Sequence, residues 1–214
     1  FSGRPTVMAW ESEHVPAIMN VWFGGTEMAP AICDVLFGDK VPCGRLTTSI
    51  PRATGQEPLY YNHLPTGRGV PDGTTEFRQY QSNYLDVPNG PVYPFGYGLS
   101  YTKFQYGQMD VKVSGRKVEA TVEVTNTGDY DSYEVVQCYI HDVACRYSRP
   151  VKELKGFSRV FLRKGESRMV TITLDEKSLQ FYDADGTPVF EPGEFDIMVG
   201  ANSRDVQTRR ATVL

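Results

Sequence analysis

Lys117-Val118-Glu119-Ala120-Thr121-Val122-Glu123-Val124-Thr125-Asn126 decides the fold. Val118, Ala120, Val122 and Val124 alternate with Glu119, Thr121, Glu123 and Thr125. Successive side chains of a strand point to opposite faces, so this period of two sets one face in a core and the other in water.

Working outward, the same pattern recurs. Residues 105–113, 117–125, 134–141, 152–162, 167–174, 194–199 and 207–213 are β-rich runs, separated by turn formers such as Asn126-Thr127-Gly128 and Lys164-Gly165. Seven strands at this spacing predict an antiparallel β-sandwich of the immunoglobulin or fibronectin type over 104–214. No cysteine pair occupies the antibody-like positions, which favours the fibronectin type III-like variant.

Before residue 104 the pattern changes. Thr6 to Trp10 and Ala17 to Phe23 are short apolar runs separated by the polar stretch Glu11 to His14, and they read as two strands joined by a brief helix. Thr26 then reads as the cap of an amphipathic helix carrying Ala31, Ile32, Val35 and Leu36, ended by Gly38. Arg45 to Ile50, bounded by Gly44 and Pro51, reads as a strand. An α/β sheet needs more strands than these and cover on both faces, so residues 1–58 are expected to be the C-terminal part of an α/β domain. Such a segment alone should leave apolar surface bare. Phe1 follows no initiator Met and no signal-like region, so the sequence reads as cut from something longer.

Residues 59–103 show neither period and are rich in Pro, Gly, Asn and Tyr. A connector of this length is expected to lie across other surfaces, with its aromatics packed and their hydroxyls hydrogen-bonded.

Composition excludes some partners. With 22 basic and 26 acidic side chains the chain has no basic field for nucleic acid, and no apolar run approaches the ~20 residues of a membrane helix. Cys33, Cys43, Cys138 and Cys145 are too few for a disulfide framework. Cys138, His141 and Cys145 have metal-ligand chemistry, but on a strand 138 and 141 point to opposite faces. His14 and His63 accompany no nucleophile motif. Strand-Gly24-Gly25-Thr26-Glu27-helix resembles an anion site, yet the Glu27 carboxylate would occupy that field, so a cap is the plainer reading. Glu11, Glu13, Asp34, Asp39, Asp72, Glu76 and Asp86 supply carboxylates, and paired carboxylates can hydrolyse glycosides, but nothing in the sequence sets two of them face to face. Tyr60, Tyr61, Tyr80, Tyr84, Tyr93, Phe95, Tyr97 and Tyr101 fit either packing or stacking on sugar rings.

Specific strings carry a resemblance. Ser2-Gly3-Arg4-Pro5, Trp22-Phe23-Gly24-Gly25-Thr26-Glu27, Asp34-Val35-Leu36-Phe37-Gly38-Asp39, Gly44-Arg45-Leu46 and Tyr60-Tyr61-Asn62-His63 resemble, in order, the end of the second domain of family 3 glycoside hydrolases. Pro94-Phe95-Gly96-Tyr97-Gly98-Leu99-Ser100-Tyr101-Thr102, Val124-Thr125-Asn126-Thr127-Gly128, Arg149-Pro150-Val151-Lys152-Glu153-Leu154-Lys155-Gly156-Phe157 and Pro192-Gly193-Glu194-Phe195 resemble that family's fibronectin-like domain. The closest likeness is to bacterial β-glucosidases. Departures are local: the family often has Pro at Gly24 and Gly-Gly at Met28-Ala29, and Cys43 stands where a small polar residue is usual.

The resemblance implies a parent enzyme with a retaining mechanism, an Asp nucleophile on a (β/α)₈ domain and a Glu acid/base on the second domain. Both motifs lie upstream of the matched segments, so no catalytic, cofactor-binding or metal-binding residue is assigned to this chain, and no cofactor. The implied partners are the N-terminal catalytic domains of the parent and its glucoside or oligosaccharide substrate, and the implied location is periplasmic or secreted. The chain is thus expected to be a structural part of a β-glucosidase-like hydrolase, inactive alone. The alternative is a carbohydrate-binding or adhesion module that uses the connector tyrosines.

Overall fold

The computed structural model describes residues 2–71, 74, 76 and 78–214. In chain order they form α1 (Ala9–His14), α2 (Met28–Leu36), β1 (Phe104–Tyr106), β2 (Asp110–Ser114), β3 (Lys117–Asn126), β4 (Ser132–Asp142), β5 (Glu153–Leu162), β6 (Ser167–Leu174), α3 (Glu176–Leu179), β7 (Phe181–Tyr182), β8 (Pro188–Val189), β9 (Gly193–Gly200) and β10 (Val206–Val213).

The protein is mainly β, and its fibronectin-like sandwich is present. One sheet sets β3 between β6 and the pair β1 and β2; the other runs β10-β9-β4-β5, and all named pairings are antiparallel. Val118, Ala120, Val122 and Val124 of β3 all point inward, and the pairing Val122↔Val170 sets β6 so that Val170, Ile172 and Leu174 join them. From the facing sheet come Val136, Cys138, Ile140, Phe195, Ile197 and Val199.

The expected first strand, 105–113, is split. β1 and β2 lie along the same edge of β3 but break at Gly107, Gln108 and Met109, where the Gln207 side chain of β10 accepts from Met109 N and donates to Gly107 O. That amide replaces the ladder bonds the break forfeits. A short β7–β8 hairpin between α3 and β9 was not expected from the sequence.

The N-terminal segment differs more. Neither 6–10 nor 17–23 forms a strand, and Trp10 belongs to α1. A strand exists only where a neighbour supplies its ladder, and among the described residues none pairs with these runs. Residues 45–50 do find a partner in the connector: Leu46 N donates to Tyr97 O at 2.8 Å and Ile50 N to Tyr93 O at 2.8 Å, with Gly96 N and Val92 N donating back. The expected cap at Thr26 also shifts. The residue before α2 is Glu27, and it makes no capping hydrogen bond, while Gly38 at φ 85° ends the helix region as expected.

The buried apolar cluster that fills the sandwich lies wholly between Met109 and Val213; the buried Ile50 is separate from it. A polypeptide of residues 104–214 alone is therefore expected to fold, with a cooperative thermal transition and dispersed amide resonances. A molten spectrum from that fragment would show that the preceding residues are needed for the sandwich itself.

Candidate functional site between connector and sandwich

β4 is where the sandwich meets the rest of the chain. A strand with one wet face alternates buried and exposed, yet Val136 through Ile140 are all buried. The inner face is covered by the core and the outer one by the connector, which lies over the sheet as a strap.

Aromatic rings make the first contact. Tyr61 stacks on Phe95 with centroids 4.2 Å apart, and both meet the fully buried Tyr139 edge-on at 5.8 and 6.5 Å. Tyr139 donates its hydroxyl to Gln137 Oε1 at 2.5 Å, and Gln137 Nε2 donates to Gly96 O and Ala201 O. Gly96 sits at φ 80°, and a Cβ there would lie 2.0 Å from Gln137 Oε1, so the approach requires glycine. Leu154 N donates to the Tyr61 hydroxyl at 3.2 Å. Burial raises the phenol pKa of both Tyr61 and Tyr139.

Three further ties are polar. Arg45 Nη2 donates to Glu134 Oε2 at 2.6 Å, with side chains 10% and 2% exposed, while the Tyr106 hydroxyl donates to Glu134 Oε1 at 2.8 Å. Burial pushes the Glu134 carboxyl above its ordinary range and Arg45 and Tyr106 oppose it; burial and the adjacent carboxylate raise the Tyr106 phenol. Gln56, 1% exposed, accepts from Arg52 N and donates to Pro88 O and Gly90 O, tying the segment that precedes the strap to residues 88–90 within it. Asn126, from the Asn-Thr-Gly motif, accepts from the Thr102 hydroxyl and donates to Tyr130 O and Leu162 O, fixing the entry to β1.

The β9–β10 turn closes over the strap from the other side. Ser203 N donates to Phe95 O, Arg204 Nη2 to Pro91 O, and Lys152 Nζ to Ser203 O.

The residues singled out from sequence divide clearly. Tyr61, Tyr93, Phe95 and Tyr97 pack in stacked pairs, and the Tyr101 hydroxyl donates to Val35 O at the end of α2. Tyr60 and Tyr80 stay exposed, and Tyr84 borders on exposure. Cys138 faces the core, where burial pushes its thiol up to about 12, whereas His141 on the opposite face contacts Pro150 O. His14 stacks on Trp10 and contacts its carbonyl, and His63 contacts Leu64 O. Glu11, Glu13, Asp39, Glu76 and Asp86 are exposed and Asp34 is half-buried; Asp72 lies outside the described residues. Arg45, Gln56, Glu134, Gln137 and Tyr139 hold the junction, and the sequence reading gave none of them that role. The one signal in the sequence is Gln137, a polar residue inside an apolar strand run.

Apolar side chains stand bare elsewhere: Phe23 is 84% exposed and Phe37 81%, and neither α1 nor α2 buries a residue. Among the described residues no helix is long and apolar enough to cross a membrane.

Residues 1–101 match the glycosyl hydrolase family 3 C-terminal domain, and residues 134–203 match a fibronectin type III-like domain. A periplasmic β-glucosidase of Salmonella typhimurium is 45% identical over 212 residues, which is 96% of this chain and 27% of that protein. A β-xylosidase of Formosa agariphila is 38% identical over 218 residues, covering 99% of this chain and 29% of its own. The crystal structure of a β-glucosidase from Listeria innocua in complex with glucose superposes with a TM-score of 0.90 at 39% identity, over 98% of this chain and 29% of that one. The chain thus spans less than a third of the length of these relatives. Its sequence, its strap and its sandwich agree on one assignment: the chain belongs to glycosyl hydrolase family 3, of which it carries the C-terminal domain sequence and the fibronectin type III-like domain.

Proposed function

We propose that the chain is a structural C-terminal part of a retaining β-glucosidase-like hydrolase and that the chemistry belongs to domains upstream. In this reading 1–58 end an α/β domain, 59–103 form the strap, and 104–214 are the fibronectin type III-like brace. One contrast carries it. The sandwich has a closed core, whereas Trp10, Phe23, Leu36 and Phe37 remain 62–84% exposed. Burying a side chain of this size stabilises by ~1.5–3 kcal/mol, so these positions call for a further packed layer. The strap ties that layer to the sandwich, which lends rigidity to a site whose two carboxyl groups must be held ~5 Å apart in a retaining enzyme.

The purified chain is expected to hydrolyse an aryl β-glucoside no faster than buffer does. Turnover that follows the chain through a second purification would refute the assignment of chemistry to upstream domains.

A carbohydrate-binding role is the second reading, favoured by the accessible rings of Tyr60 and Tyr84. Bracing and binding do not exclude one another.

A further inference from the structure

We infer that Asn89-Gly90 is a site of self-modification, a deamidation that the closed strap holds back and the opened strap permits. The inference rests on the geometry of the strap and not on what the parent enzyme cleaves.

An asparagine amide reacts most readily with its own main chain when glycine follows, because that residue has no Cβ to shield its nitrogen. Of the six asparagines in the chain, Asn89 alone precedes glycine. In the reaction Gly90 N gives its proton to a solvent base and adds to Cγ of Asn89. The Cγ–Nδ2 bond breaks, and Nδ2 takes a proton from solvent and leaves as ammonia. Water then opens the cyclic imide at either carbonyl, leaving aspartate or isoaspartate.

The fold keeps these atoms apart. The ring forms only if the Asn89 carboxamide turns back onto its own main chain, and here both ends of that amide are engaged elsewhere. Its Oδ1 accepts from Tyr84 N at 3.2 Å and its Nδ2 donates to Ser82 O at 3.0 Å. The backbone on either side is held too. Asn89 N donates to Thr74 O, and the buried Gln56 amide donates to both Pro88 O and Gly90 O. From the β9–β10 turn Arg204 Nη2 donates to Pro91 O. Reaction thus waits on a local opening that breaks several of these bonds, and its rate follows the open population.

Neither product restores the contacts. Aspartate sets a carboxylate oxygen against Ser82 O, an acceptor facing an acceptor. Isoaspartate routes the main chain through Cβ and Cγ, which lengthens it between the two carbonyls that Gln56 grips. A strap that has opened and reacted does not close again in its original form, so the segment is a one-way latch.

The test incubates the 214-residue chain in mildly alkaline buffer and maps its peptides by mass spectrometry, which reads amide loss at each asparagine. In guanidinium chloride Asn89 should lose its amide first, and Gly90→Ala should slow that loss at least about ten-fold. In the folded chain Asn89 should react at least about ten-fold more slowly than in denaturant. Gln56→Ala removes both grips and lies outside the sandwich core, so it should restore most of the denatured rate while amide spectra show 104–214 folded. Tyr139→Ala loosens the strap from its other face and should speed the reaction likewise. The deamidated chain, separated by its added negative charge, should be cut within 59–103 about ten-fold faster than the intact chain, with 104–214 surviving. Equal rates in the folded and denatured chain, or another asparagine reacting ahead of Asn89 in denaturant, would overturn the assignment. So would loosened variants that react no faster than the unaltered chain, or a deamidated strap as resistant as the intact one. None of these outcomes bears on the bracing role, which is judged by turnover.

Discussion

Glu134→Leu is expected to destabilise the protein by about 3–5 kcal/mol, the range for removing one partner of a buried ion pair. The change leaves the Arg45 guanidinium, 10% exposed, facing an apolar side chain and deprives the Tyr106 hydroxyl of its acceptor. Arg45→Met should cost less, because a carboxyl already pushed upward by burial can take a proton and become neutral, a route closed to arginine. The double variant, with both charges replaced by apolar side chains, should recover most of the loss. Urea denaturation of the four proteins gives the coupling, expected at about 2–3 kcal/mol. Additive single losses, or a Glu134→Leu cost below about 1 kcal/mol, would mean that the pair does not hold the junction. With domains typically stable by ~5–15 kcal/mol, the expected loss is a large part of the whole.

Tyr139→Ala should act at the other end of the same junction. Truncating a buried aromatic typically costs ~3–5 kcal/mol, and here the ring is the surface on which Tyr61 and Phe95 rest. Since Tyr139 points away from the sandwich core, the damage should fall on the strap. Limited proteolysis is expected to cut within residues 59–103 at least ten-fold faster than in the parent chain while 104–214 survives as a folded product. Tyr139→Phe keeps the rings and removes only the bond to Gln137 Oε1, so it should cost about 1 kcal/mol and leave cleavage slow. Accelerated cleavage spread evenly over the strands would show instead that Tyr139 supports the sandwich.

The sandwich was legible because its cause is local. Alternation along Val118 to Thr125 is visible within one window, and the turn formers between runs are visible too. The break at Gly107 to Met109 was not, because it depends on Gln207 from a strand about a hundred residues later. The runs 6–10 and 17–23 misled for the opposite reason: apolar runs record a need for burial, and pairing needs a neighbour as well. The 45–50 run was read as a strand, but it bends at 47–48 and pairs with the connector through separate backbone bonds and one isolated bridge at Ile50, so no strand forms. Within the junction, Glu134 read as an ordinary strand residue, since sequence cannot show that Arg45, 89 residues away, reaches it. The strap showed no period because separate ties hold it, such as Gln56 to Pro88 and Gly90, and neither a helix nor a ladder repeats along it. The resemblance of strings such as Tyr60-Tyr61-Asn62-His63 succeeded where periodicity could not, since it matches residues whose partners lie far off.

The turn that grips the strap has a consequence for how the molecule is made. Arg204 secures Pro91 across 113 positions of sequence, so the ribosome delivers the strap long before its clasp. Until β9 and β10 emerge and pair, the strap rests on Tyr139 of β4 and Leu154 of β5 without the clasp from Ser203 and Arg204, and a nascent chain stalled ahead of Ala201 is expected to expose its aromatic strip to chaperones more readily. Strands made after the strap therefore complete its burial, and the order of translation sets when strap and sandwich become one body.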